Sequence, residues 1–201
     1  MNPSVLLLQV LLFPGLLFAA VTGLLVSWVD RKVTARVQMR TGPPPLQPFY
    51  DIVKLMIKET CIPAGAARGV FLSAPLIGLA GVSLASSIVW GAFLDPQQSF
   101  VGDLIVVLYL LTMPAVSVVL GAFASRNPLA SLGGSREMKL ILAYELPFLL
   151  AVVVAIIGAG GIRFGDLLTA PAPAGSPSGI LALLVAVLCM QAKLTLVPFD
   201  A

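Results

Sequence analysis

Five apolar stretches of roughly membrane-spanning length dominate this sequence: residues 4–28, 70–94, 103–124, 140–160 and 179–198. A helix needs about 20 apolar residues to cross the hydrocarbon core of a bilayer. Only helices and closed barrels satisfy all backbone polar groups there, and runs of this length and continuity read as helices. The expected fold is therefore all-α, an integral membrane bundle of about five transmembrane helices in one domain over 1–201. Composition agrees, with 59% hydrophobic and 10% charged residues where a soluble domain carries about a quarter charged. The first apolar run has no basic region before it and no small-residue cleavage site after it, so it is expected to be a retained helix.

Between the first two runs lies the polar segment 30–60, which includes DRKVTARVQMRTGPPPLQPFYDIVKLMIKE. It carries six of the twelve Lys and Arg. Lys32, Arg36 and Arg40 recur every four residues and would form one row on a helix. Gly42 and Pro43–Pro45 are expected to stop that helix, because proline lacks a donor and clashes with the preceding turn. Beyond the break, Gln47, Asp51, Lys54 and Lys58 share a face while Phe49, Ile52, Val53, Met56 and Ile57 lie elsewhere on the wheel. The pattern predicts a short amphipathic helix along the membrane surface. The competing readings are a solvated basic face or a headgroup contact, against a shaped polar surface that would suit a docking site for a soluble partner or the mouth of a proton path.

Ten of the twelve basic residues fall in the loops after the first and third runs, Lys193 near the inner end of the last, and Arg163 alone opposite. The positive-inside rule then puts the amino terminus outside. The same rule accounts for the net charge of +3 without nucleic acid. Trp28 and Trp90 stand near span ends, where amphipathic rings prefer the interface. Pro14, Pro75, Pro114 and Pro147 fall within or near spans and call for helix neighbours that satisfy freed carbonyls. The stretches DPQQSF, SRNPLASLGGSREMK and GIRFGDLLTAPAPAGSPS read as loops. GGSRE lacks the strand and spacing of a phosphate loop. No internal repeat or inverted pair of broken helices announces a transporter.

Histidine is absent, and Cys61 and Cys189 lack ligand spacing. Clusters and haem typically need about four thiolates or a histidine, so no cofactor is expected in this chain. A disulfide is possible on paper, but two free thiols are the expected state. Glu145, in KLILAYELPFLLAV, is the most informative residue. An acid at that depth is costly unless paired, hydrated or protonated, and such residues commonly mark ion pathways. The alternative is a structural hydrogen bond to a neighbouring helix. Asp95 and Asp103 read as solvated caps near helix ends, and Lys193 as a chain that snorkels to the interface.

The polar segment, SREMKLILAYELPF and the terminal LVPFDA together resemble the complex I subunit 1 family. That family comprises the quinone-site subunit of NADH dehydrogenase and its counterparts in group 4 nickel–iron hydrogenases and formate hydrogenlyase. The RTGPPPLQPFYD form is more similar to the hydrogenase branch, since the quinone-reducing branch usually reads GPN at the bend. The resemblance implies a prokaryotic inner-membrane subunit that couples electron transfer to proton or sodium movement. It implies cytoplasmic hydrogenase-like or NADH-dehydrogenase-like partners carrying iron–sulfur and nickel–iron centres, antiporter-like membrane partners, and quinone only in the alternative branch. Carried over by position, Glu145, Asp51, Lys54 and Asp200 belong to the ion path. Arg31, Arg36, Arg40, Lys58 and Arg136 belong to the docking surface. The remaining alternative is a passive membrane anchor. Family members continue past PFD into an acidic loop and further helices, whereas this sequence stops at Ala201.

Overall fold

A computed structural model describes residues 8–171, 175–195 and 199, and no strand occurs among them. A helical turn ends at Leu11, and after a break at 12–15 the chain enters α1 (Leu16–Val37). There follow α2 (Gln47–Ile57), α3 (Arg68–Leu94), α4 (Asp103–Leu110), α5 (Met113–Ala124), α6 (Pro128–Ala159), α7 (Phe164–Thr169) and α8 (Pro177–Lys193). Four segments are long and apolar enough to cross a membrane: Leu8–Val37, Arg68–Leu94, Asp103–Ala124 and Pro128–Ala159. The fifth apolar helix, α8, has 17 residues, about 26 Å at 1.5 Å per residue.

Helix ends explain most departures from the sequence reading. The expected loop SRNPLASLGGSREMK is largely helix, because Asn127 caps α6, accepting from Leu129 N at 3.0 Å, and Pro128 occupies the first turn. Both residue types favour those positions. The result is a helix of 32 residues, about 48 Å long, that continues through Pro147. Pro75 likewise stays inside α3. Pro114, by contrast, divides the third span at 111–112, since it supplies no N–H for a continuing ladder.

α1 passes residue 28 and stops short of the GPPP bend. Arg40 N donates to Ala35 O at 2.8 Å and Met39 N to Arg36 O at 3.1 Å, while Met39 takes a φ of 57°. This is the paired hydrogen bonding of a left-handed helix stop. Lys32 and Arg36 therefore share the helix, but Arg40 lies past its end and outside the expected row.

The bundle is built by α3 packing on α5, α5 on α6, α6 on α8 and α1 on α3. Close approach rests on small residues. A Cβ at Gly78 would strike Ser117, and one at Gly81 would meet Met113 and the Leu110 carbonyl. Membrane helices, lacking a hydrophobic drive to associate, commonly meet through such small-residue contacts. Ser86 Oγ donates to Pro14 O at 2.8 Å, closing the break before α1 onto α3. Trp90 stacks edge-on against Phe18 at 5.0 Å across the same interface. Large apolar side chains such as Leu25, Leu142, Leu150 and Leu181 are exposed around the bundle, as a lipid-facing surface requires.

The bundle has two unlike ends. The carboxyl ends of α1 and α5, all of α2 and the amino ends of α3 and α6 share one, joined by Ala67 N donating to Ala124 O at 2.9 Å. This end holds the basic loops. The turn at Pro96–Gln98, the start of α4 and the whole of α7 form the other.

Candidate functional site

Glu145 sits on α6 about 26 Å along the axis from Pro128, at 1.5 Å per residue. α8 packs against this part of α6 and ends in Lys193. Lys193 Nζ lies 3.3 Å from Glu145 Oε2, with side-chain exposures of 13% and 21% for Lys193 and Glu145. The ammonium also lies 5.0 Å from the ring centre of Phe148 and 5.8 Å from that of Tyr144. Beneath it, Tyr144, Cys189 and Ala192 form a buried apolar cluster with Leu140, Ile141, Val185 and Phe199 around it. Lys193 is thus largely enclosed and held by a carboxylate and two rings, where the sequence reading expects a chain reaching for the interface.

The second polar assembly stands at the basic end. Arg31 on α1 pairs with Asp51 on α2 at 3.1 Å. Gln47, one turn before Asp51, donates to its other oxygen at 3.2 Å. The bend between the helices is held by Trp28 Nε1 donating to Pro43 O at 3.1 Å, with Lys32 Nζ 5.6 Å from the Trp28 ring. Gly42 passes so near α1 that a Cβ would lie 3.1 Å from Lys32 Cα, so glycine here serves close approach. α2 carries Pro48 buried against its support and leaves Phe49, Tyr50, Ile52, Met56 and Ile57 exposed. Arg36, Arg40, Lys54, Lys58 and Arg136 are exposed and make no ion pair among the described residues.

The residues singled out from sequence therefore do not converge on one centre. Asp51 is joined to Arg31 and Gln47, while Glu145 is joined to Lys193. No hydrogen bond or ion pair connects the two groups among the described residues. Asp200 lies outside the described residues.

Asp103, which the sequence predicts to be a solvated cap, is instead 1% exposed. Its Oδ1 accepts from Leu104 N at 2.7 Å, and both oxygens accept from Phe164 N, at 3.0 and 3.2 Å. It ties the start of α4 to the start of α7, and it borders a cavity of about 320 Å³ with Gln9, Ser87, Asp95 and Ser99. Sequence reasoning missed this because the partner is a backbone amide 61 residues away. Asp95 does cap its turn, accepting from Gln97 N at 3.1 Å. Cys61 is exposed, Cys189 is buried and both are free thiols. No group of three or more metal-ligating side chains occurs among the described residues.

A membrane bundle with a basic amphipathic end and an acid in its fourth span can now be set against known proteins. The NADH dehydrogenase family model matches residues 8–201. The chain belongs to that family. The H subunit of the NADH-quinone oxidoreductase of Thermomicrobium roseum is 36% identical over 160 residues, covering 71% of this chain and 46% of the relative. That of Anoxybacillus flavithermus is 32% identical over 185 residues, covering 85% and 54%. Among solved structures, a chain of the membrane-bound sulfane sulfur reductase, an archaeal respiratory membrane complex, superposes with a TM-score of 0.79. That match has 26% identity and covers 93% of this chain and 62% of the other. The chain spans about half the length of the curated relatives it matches. This is the family that the DRKVTARVQMRTGPPP and YELPF motifs resemble.

Proposed function

We propose that this chain is the coupling subunit of a redox-driven, ion-translocating complex of hydrogenase type. Its basic end holds a soluble electron-transfer arm, and Glu145 relays the effect of electron flow to proton or sodium movement. The observation that carries this reading is the Glu145–Lys193 pair, a carboxylate and an ammonium held at 3.3 Å against an apolar cluster inside a helix bundle. Charged groups at such depth are costly to keep and typically serve ion or proton movement.

The exposed cations Arg36, Arg40, Lys58 and Arg136 supply a surface for an acidic partner, and the Arg31–Asp51 pair ties α2 to α1. The basic end faces the cytoplasm of a prokaryotic cell under the positive-inside rule, with the amino terminus outside. Histidine is absent and the two cysteines stand apart, so iron–sulfur and nickel–iron centres would reside in the soluble partners. Antiporter-like subunits would take the ion onward. A quinone-site role is the second reading. It is favoured by the NADH-quinone oxidoreductase relatives, and inhibition by a quinone analogue would support it.

The deciding experiment places the complex in proteoliposomes and counts ions moved per electron pair. Glu145→Gln is expected to abolish ion movement while electron transfer by the soluble arm to an artificial acceptor persists. Undiminished ion movement would overturn the proposal, and a passive anchor would then remain.

A further inference from the structure

Lys193 meets two kinds of partner at once, and their arrangement assigns it a role that depends on the function just proposed. Its ammonium contacts the Glu145 carboxylate at 3.3 Å and at the same time lies over the Phe148 ring at 5.0 Å and the Tyr144 ring at 5.8 Å. Phe148 is three residues beyond Glu145, which puts ring and carboxylate side by side on α6. Ring faces attract a cation electrostatically without carrying charge, and more strongly when water is excluded. The side chain is only 13% exposed.

From this geometry we infer that Lys193 is a positioning residue that moves between Glu145 and the aromatic faces as the carboxylate takes up and gives back a proton. With Glu145 ionised, carboxylate and ammonium form a pair of zero net charge. When a hydronium ion delivers a proton to a Glu145 oxygen, one O–H bond of the donor breaks as one forms on the carboxyl, and water is left behind. No group is oxidised or reduced, and the charge attraction for Lys193 is removed. The ammonium settles on Phe148 and Tyr144, still charged, and the site carries +1. That charge opposes entry of a second proton and favours departure of the first to water or the next acceptor, after which the pair re-forms. The rings keep the cation close, so Lys193 neither escapes to the headgroups nor blocks Glu145.

The test uses the whole membrane complex in phospholipid vesicles, driven by its own electron donor and acceptor. Ion movement is read with a pH-sensitive dye and with radioactive sodium. Phe148→Leu keeps the ion pair and an apolar side chain but removes one ring, and is expected to lower ions moved per electron pair about threefold, within the strength of a cation–ring contact. Lys193→Met is expected to lower it by at least about tenfold, whereas Lys193→Arg, which keeps the charge and stacks on rings, stays within about twofold of the parent. Adding Phe148→Leu to Lys193→Met should cost nothing more, since the ring acts only through the ammonium.

A parent-like ratio in Phe148→Leu, or an equal loss on adding it to Lys193→Met, would overturn the inference. Should Lys193→Met fail to assemble, Phe148→Leu and Lys193→Arg decide the matter. Undiminished pumping in Glu145→Gln sinks the underlying function. Pumping lost in Glu145→Gln but normal in both Phe148→Leu and Lys193→Met sinks this role alone.

Discussion

The described residues contain two interhelical ion pairs of nearly the same length and opposite character. Arg31–Asp51, at 3.1 Å, has half of its arginine side chain and over a third of its aspartate in solvent. Glu145–Lys193, at 3.3 Å, is mostly enclosed. The first holds together a surface whose shape also depends on Trp28, Gly42 and Pro43. The second is surrounded by leucine, valine and aromatic side chains that cannot replace either partner. Distance alone therefore says little about what a salt bridge does. The medium around it decides whether losing one member is a minor loss of orientation or an orphaned charge.

Removing one member from each pair tests this difference, and the largest effect belongs to the enclosed one. Lys193→Met or Glu145→Leu alone should destabilise the complex by about 3 kcal/mol, the lower end for a buried pair because some solvent reaches both groups. The double variant should recover much of that loss. Unfolding in mild detergent measures it, and additive losses would show that the two charges are not coupled.

An intermediate effect is expected at Asp103, which is more deeply buried than Glu145 but held by backbone amides. Asp103→Ala should cost about 2 kcal/mol, because the Phe164 N–H loses its buried acceptor. Faster proteolysis in the segment 160–170 of Asp103→Ala would report the released α7.

The smallest effect is expected at the surface. A double-mutant cycle of Arg31→Ala and Asp51→Ala should give a coupling of about 0.5 kcal/mol. It should fade as salt approaches 1 M, where the screening length falls to about 3 Å. A salt-insensitive coupling above about 2 kcal/mol would erase the contrast with the enclosed pair.

Much of this architecture could be read from the residues because lipid imposes one rule on every apolar run. The apolar helices and the amphipathic α2 followed from length and periodicity, and Glu145 stood out as an acid within an apolar run. What escaped were features set by partners distant in sequence. Nothing near Lys193 in the chain says that a carboxylate 48 residues earlier lies beside it. Asp103 beside Gly102 looks like any exposed helix start until Phe164 is placed over it. Helix boundaries failed for local reasons: Asn127–Pro128 is a good start signal inside a stretch polar enough to pass for a loop. Met39 stopped α1 at a left-handed turn that glycine usually makes.

The glycine seam between α3 and α5 has a mechanical consequence. With no side chain at Gly78 or Gly81 to act as a spacer, the facing surfaces interlock through Ser117 and Met113. Sliding one helix past the other would drive these side chains into backbone. That part of the bundle is a stiff pillar, and the terminal lysine of α8 stands apart from it, on a helix that packs against α6.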